Sequence, residues 1–305
     1  MSEMPPATPL FLSEEQVRAT LRFDALIPAM RQALIDFSAG RVLQPVRTIL
    51  PVAEHHGFFA TMPAVCGDVM GLKAVTFYAD NAQLGVPTHL ATILLMRAAT
   101  GELLAVLDGR LITEMRTAAV SAVAVDLLAP RDARVLAILG SGVQAHSHLT
   151  ALRIVRQFDD VRVWSRTPAH AEQFARERQV CATTVEEAVR DADVVLTATS
   201  AREPVLRGAL LKESAMIVSI GAIGPAFREL DDAAMKGSLV VESREAALRE
   251  SGDVILSGVA IEAELGELLA NNGYARPRGR VIYKSLGVAA EDIVAARLVY
   301  EAVIG

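Results

Sequence analysis

Residues 140–145, Gly140-Ser141-Gly142-Val143-Gln144-Ala145, follow an apolar run at 134–139 and open a helix-like segment at 146–156. The spacing is G-x-G-x-x-A. Its first glycine permits a tight turn, its second lets a pyrophosphate lie against the backbone, and Ala145 is small enough for the helix to pack on the strand. The free N–H groups and positive dipole end of the helix complete an anion site. Such a constellation suits a nicotinamide or flavin dinucleotide, with Gly140, Ser141, Gly142, Val143 and Gln144 as the diphosphate residues. A glycine-rich turn that binds nothing is the rival reading; the strand before, the helix after and the βαβ order downstream count against it.

The ribose end of such a site is also legible. Domains that prefer NAD carry an acidic residue at the end of the second strand, on the ribose 2′-OH. Here that strand ends Val163-Trp164-Ser165-Arg166-Thr167, and Asp159 and Asp160 come before it. Ser165, Arg166 and Thr167 can instead bond and neutralise a 2′-phosphate. NADP(H) is therefore favoured, with NAD(H) as the alternative if Arg166 only stacks on the adenine. Thr199 and Ser200 follow a later strand, on the nicotinamide-ribose side, and Gly221 follows the next one. Lys73 lies in the apolar stretch 71–75. A lysine there can face a cavity, where burial lowers its pKa. Period-2 alternation equally allows it to point to water.

Other chemistries find no support. His55 and His56 read as a polar turn; His146 and His148 are two apart in a helix and cannot share a metal. His89 reads as a hydrogen-bonded structural histidine rather than one that orients a ligand. No Cys/His/Asp cluster suggests a metal and no nucleophile elbow appears. With a net charge of −6 and no basic patch, nucleic acid is not an expected partner. Cys66 and Cys181 offer neither a disulfide framework nor zinc spacing, which fits a reducing cytoplasm. No secretory leader is read at the start, and no stretch is apolar enough to span a bilayer. The proline-containing start, residues 4–9, is expected to be loose.

At 305 residues the chain is long enough for two domains. Ser13 and Gln16 read as a capping box, and a helix runs from about 26 or 28 to 38. Strand patterns follow at 46–52, 57–62 and 71–78, then a hairpin at 91–98 and 103–107. Asp108-Gly109 reads as a tight turn into a further strand at 111–113. A small-residue helix is expected at 117–128. Strand and helix then alternate: strands at 135–139, 161–164, 193–198, 216–220, 239–242 and 281–283, and helices at 143–156, 168–179 and 229–235. A final helix covers 289–303. This is the alternation of a doubly wound parallel sheet, giving an α/β fold class.

In this frame the chain resembles the ornithine cyclodeaminase/mu-crystallin family over nearly its whole length. The matching pieces are Met62-Pro63, Gly71-Leu-Lys73-Ala-Val-Thr76, Gly85-Val-Pro-Thr88-His89, Asp108-Gly109 through Arg116-Thr117, Gly140 through Gln144, and Lys284-Ser285-Leu286-Gly287. The resemblance implies a homodimer, chemistry on the α-carbon of an amino or imino acid, and an α+β substrate-binding and dimerisation domain beside the Rossmann-type one. The expected division is 1–116 with 289–305 for the former, its last helix returning to it, and 117–288 for the latter.

The resemblance also implies roles. Arg47 and Arg116 match the carboxylate-binding arginines; two parallel charge-assisted bonds suit a substrate carboxylate. Lys73 matches the active-site lysine, which moves a proton to or from the substrate nitrogen. Thr88 lines the same pocket, Met62 forms an apolar wall or fills core, and Ser285 approaches the nicotinamide. One departure matters. In the cyclodeaminase branch a Gly-Gly-Asp-containing turn after the fifth strand supplies a catalytic aspartate, and here that position is Ile223. An isoleucine cannot act as the base that ammonia expulsion needs. The expected activity is thus an NAD(P)H-dependent reductase of α-imino acids, such as pyrroline-2-carboxylate, or a related amino-acid dehydrogenase. The alternatives are a cyclodeaminase with a relocated base and a non-catalytic small-molecule binding protein.

Overall fold

The computed structural model describes residues 8–305, so part of the expectation for residues 4–9 lies outside it. The strands are β1 Leu10–Leu12, β2 Val42–Leu43, β3 Thr48–Val52, β4 Gly57–Cys66, β5 Val69–Tyr78, β6 His89–Arg97, β7 Leu103–Asp108, β8 Val135–Leu139, β9 Asp160–Trp164, β10 Cys181–Ala182, β11 Val194–Thr197, β12 Met216–Ser219, β13 Ser238–Val241, β14 Ile261–Glu264 and β15 Val281–Lys284. The α-helices are α1 Glu14–Thr20, α2 Phe23–Ser38, α3 Arg110–Leu128, α4 Val143–Val155, α5 Pro168–Arg178, α6 Val185–Val189, α7 Arg244–Glu250, α8 Gly252–Ser257, α9 Leu265–Ala270 and α10 Ala289–Ile304. Among the described residues no helix is long and apolar enough to cross a membrane.

Two compact units emerge. One holds residues 8–116 together with Val288–Gly305; the other is Thr117–Gly287. The first is built on a seven-stranded sheet in the order β1-β7-β6-β5-β4-β2, with β3 also on β4. Its pairs are antiparallel except β1 with β7. One face is dry: Ala60, Met62, Ala64, Val75, Ile93 and Leu95 are buried, and α10 packs over β4, β5 and β6. Gly71 sets how closely α10 approaches, since a Cβ there would stand 2.6 Å from Ile293 Cδ1. The opposite face is apolar yet half open, as period-2 alternation of mostly apolar strands produces.

The second unit is an eight-stranded, wholly parallel sheet ordered β10-β9-β8-β11-β12-β15-β13-β14. Strands β8, β11, β12 and β15 are mostly apolar and buried on both faces, as parallel strands covered on both sides must be, with Thr197, Ser219 and Lys284 the polar residues at their ends. The order reverses at β8, which has β9 on one side and β11 on the other. Ligands of doubly wound sheets bind beyond the strand ends at such a switch point.

Several local expectations are corrected. Residues 111–113 are helix, not strand. Asp108 Oδ1 accepts from Arg110 N at 3.0 Å, so Asp108-Gly109 starts α3 instead of turning a hairpin. Residues 229–235 form turns, not a helix. The Glu229 and Leu230 N–H groups donate to Asp253 Oδ1 at 2.9 and 3.0 Å, and Leu206 bridges to Leu230. Strand β3 begins at Thr48, which leaves Arg47 in the loop before it. Helices α7, α8 and α9 and strands β1, β2 and β14 carry no expectation from the sequence; each is short. The Ser13–Gln16 capping box forms, with Gln16 N donating to Ser13 Oγ and Ser13 N to Gln16 Oε1.

Candidate active site

Lys73 sits in the middle of β5 on the buried face, with 2% of its surface exposed. Met62 of β4 and Ile93 of β6 stand directly across from it in register. No apolar neighbour can satisfy an ammonium, and its partner comes from α10: Nζ lies 2.6 Å from Asp292 Oδ2. The other Asp292 oxygen accepts from Arg116 Nε at 3.0 Å, and Glu291 Oε2 accepts from Arg116 Nη1 at 2.6 Å. Glu291 and Asp292 are fully buried. They occupy the first turn of α10, where the helix dipole favours negative charge. Gln44 fastens that turn by accepting from Ala290 N at 2.9 Å.

Burial drives the Lys73 ammonium down to about 8, against the pull of Asp292, and the positive charges of Arg116 and Arg47 add to the fall. Burial would raise the Asp292 carboxyl, but Arg116 and Lys73 outweigh it and hold it below the usual carboxylate range. Burial, with Lys73 and Arg116 nearby, pushes His89 down to about 4, so its imidazole is neutral at ordinary pH. The structure thus brings Lys73, Arg116, Met62, Arg47 and His89 into one neighbourhood. Arg47 and Thr88 are half-buried, and the Thr88 carbonyl accepts from Tyr78 N at 2.9 Å. A lysine that titrates near 8 can give or take a proton near neutrality.

In the second unit the glycine turn follows β8 at the switch point. Gly140 has φ +122° and its N–H donates to Trp164 O at 2.8 Å. A Cβ there would lie 2.3 Å from Ala198 O, so glycine is required. At Gly142, which precedes α4, a Cβ would find nothing within 4 Å; the turn is open on that side. Gln144 Oε1 is buried with no hydrogen-bond partner among the described residues. Ser141 Oγ donates to Ser165 Oγ at 3.0 Å, tying the turn to the end of β9. Val143, Arg166 and Thr167 are exposed. An open glycine cradle and an exposed arginine fit a dinucleotide.

The remaining candidates are placed differently. Thr199 donates through its hydroxyl to Glu229 Oε1 at 2.7 Å, and Ser200 is exposed. Gly221 N donates to Glu229 Oε2 at 2.8 Å. Ser285 is buried and donates to Glu242 Oε1 at 2.6 Å, so its hydroxyl is engaged inside the unit. His89 was expected to be hydrogen-bonded; among the described residues its ring has no such bond.

Sequence reasoning missed two sets of carboxylates. Glu291 and Asp292 carried a weak signal, two adjacent acids opening a largely apolar helix whose other charges, Arg297 and Glu301, lie in its second half. Glu229 carried none. It is fully buried and also accepts from Thr197 Oγ1 at 2.8 Å, Thr199 N at 2.7 Å and Ser219 Oγ at 3.1 Å. Beside it Lys284 Nζ pairs with Asp253 Oδ2 at 3.0 Å and donates to Gly221 O at 2.6 Å.

A glycine turn at the switch point of a parallel sheet, with a separate antiparallel unit holding a buried Lys–Asp–Arg cluster, places the chain among two-unit Rossmann-type α/β proteins. It belongs to the ornithine cyclodeaminase/mu-crystallin family, whose profile it matches over residues 7–305. It is 49% identical over 304 residues to the ketimine reductase mu-crystallin of Mus musculus, covering 96% of this chain and 97% of that one. The structure of Thermococcus litoralis Δ1-pyrroline-2-carboxylate reductase with NADH and L-proline superposes with TM-score 0.92 at 35% identity, over 97% of each chain. An archaeal alanine dehydrogenase dimer with bound NAD superposes with TM-score 0.91 at 30% identity, over 97% of this chain and 96% of that one.

Proposed function

We propose that this chain is an NADPH-dependent reductase of cyclic α-imino acids, with Δ1-pyrroline-2-carboxylate the first substrate to try. The observation that carries the reading is the buried Lys73–Asp292–Arg116 cluster in a chain that also holds an open glycine cradle. The ketimine reductase and pyrroline-2-carboxylate reductase relatives support it. The reaction adds a hydride to the α-carbon and a proton to the nitrogen of the C=N bond, giving the cyclic amino acid and oxidised cofactor.

Each residue group has a task. Arg116 and Arg47 bind the substrate carboxylate. Lys73 gives its proton to the imine nitrogen, and its lowered pKa keeps both ionisation states accessible near neutrality. Met62 forms an apolar wall beside it, and Thr88 lines the same site. Gly140, Ser141, Gly142, Val143 and Gln144 hold the diphosphate; Ser165, Arg166 and Thr167 select the 2′-phosphate; Ser200 and Gly221 lie along the nicotinamide side. The bound nicotinamide supplies the hydride.

The loop after β12 favours reduction over ammonia expulsion. Ile223 is 44% exposed and carries no base, while Glu229, the nearby carboxylate, is turned inward and occupied by several donors. The protein works as a homodimer through the open face of the seven-stranded sheet. Phe11, Val106, Leu94, Leu72 and Pro63 form one registered apolar row across it, and Leu50, Phe59 and Leu90, with Thr76 between the last two, a second. Phe11 is 73% and Leu50 55% exposed, a surface that a partner copy would cover.

The test is nicotinamide oxidation with NADPH and NADH in parallel on Δ1-pyrroline-2-carboxylate, beside ammonia release from ornithine. Rapid NADPH consumption with ornithine silent is expected. Ammonia from ornithine without net cofactor consumption would overturn the reading.

A further inference from the structure

We propose that Asp292 is a positioning residue, one carboxylate oxygen on Lys73 and the other on Arg116, that sets the distance between the proton-donating group and the carboxylate-binding group of the substrate site. The proposal rests on the reading of Lys73 and Arg116 as substrate groups. Three observations carry it. The bridge is short on both arms, 2.6 Å to Lys73 Nζ and 3.0 Å to Arg116 Nε. It is dry, with Asp292 fully buried, Lys73 2% and Arg116 4% exposed. It is also mechanically fixed. The neighbouring Ile293 packs against Gly71, two residues from Lys73 on the same face of β5, and Gln44 holds the first turn of α10 at Ala290 N. Side chains on the strand and on α3 are therefore referenced to one carboxylate on the last helix.

A cyclic imino acid presents its carboxylate and its ring nitrogen on adjacent atoms. A site for it must hold a cation for one and a proton donor for the other at a constant separation, which two long flexible side chains do not maintain alone. Asp292 supplies that constraint, and Glu291 fixes the second arm of Arg116. The carboxylate also sets the charge state. The groups facing Lys73 are Asp292 from α10, Arg116 from α3, Arg47 from the loop before β3 and His89 from β6. With Asp292 replaced by asparagine, the ammonium keeps its burial and both guanidinium neighbours but loses its counter-ion, so it deprotonates at lower pH.

The experiment follows kcat and KM for Δ1-pyrroline-2-carboxylate with NADPH from about pH 6 to about pH 10 in wild type, Asp292→Asn, Asp292→Glu and Lys73→Ala. NADPH binding, read by fluorescence, reports that each variant is folded. In Asp292→Asn the KM rises and the basic limb of kcat/KM moves down, so activity near pH 9 falls about tenfold further than activity near pH 7. The titration of the imine itself is common to all variants, so the displacement reports the protein. Asp292→Glu keeps the charge at a changed length; it leaves the limb in place and raises KM several-fold. Wild-type KM with an unmoved limb in Asp292→Asn, beside an inactive Lys73→Ala, overturns the positioning role and leaves the reductase reading intact. If Asp292→Asn does not fold, wild-type KM in Asp292→Glu overturns it. Turnover by Lys73→Ala removes both.

Discussion

The chain contains two dry networks built around a buried lysine, and they differ in kind. In the second unit Lys284 meets Asp253, Ser219 Oγ and the Gly221 carbonyl, and neighbouring Glu229 is surrounded by hydroxyl and amide donors. Apart from the Asp253 pair, which comes from α8, those bonds go to backbone and side chains at the ends of β11 and β12, so the network braces the loops that follow them. In the first unit Lys73 has one carboxylate partner and lies in the field of two arginines, and burial takes its pKa to about 8. On the proposed reading, a buried lysine is not in itself a catalytic signal. A network tied largely to the backbone is expected to act as scaffold. A cluster of side-chain charges whose lysine is pushed toward neutrality is equipped to move a proton.

The largest expected effects test that distinction. Lys73→Ala should lower turnover by about 10²- to 10⁴-fold, the range for a general acid, with NADPH binding retained. Lys284→Met should do the reverse first. It strands Asp253 in the core and should destabilise the fold by about 3–5 kcal/mol, seen as a lowered denaturation midpoint. A Lys284→Met protein with wild-type stability and no activity would erase the contrast.

The glycine turn permits a similar pairing. Gly140→Ala should cost more than about 2 kcal/mol, from its φ of +122° and a Cβ that would lie 2.3 Å from Ala198 O. Gly142→Ala faces open space and should leave stability within about 0.5 kcal/mol while weakening NADPH binding about tenfold. Equal effects of the two on stability would refute the separation of turn from cradle.

Stability against pH sharpens the picture of Lys73. Its pKa is lower folded than unfolded, from 10.5 to about 8, so between these values the unfolded chain binds more protons. Stability from this group therefore rises with pH through that window, at up to about 1.4 kcal/mol per pH unit. Lys73→Met should remove that rise in denaturant titrations, and a persisting rise of the same size would assign it elsewhere. The smallest effect concerns an exposed side chain: Arg166→Ala should weaken NADPH binding about tenfold and leave NADH unchanged.

Much of this was legible in the chain. The glycine turn, the β8–α4–β9 order and the capping box of α1 depend on neighbours in sequence, and each formed as read. One error, at residues 111–113, was local: Asp108 caps a helix there instead of turning a hairpin; another fell where a distant group supplied the hydrogen bonds. Residues 229–235 have a helical pattern, but Asp253 captures the N–H groups of Glu229 and Leu230. Lys73, Arg47 and Arg116 were visible through the family motifs, whereas their carboxylates were not.

The sequence by itself determined most of the local conformations, the alternation that makes a parallel sheet, and the family, because these rest on residue types a few positions apart. Only the tertiary structure decided which charges meet. Arg116 and Asp292 stand 176 residues apart, and nothing in their local context pairs them. A buried charge requires a partner wherever the chain can bring one, and the ionisation of Lys73 follows from that partner and from its burial, which exist only in the folded molecule.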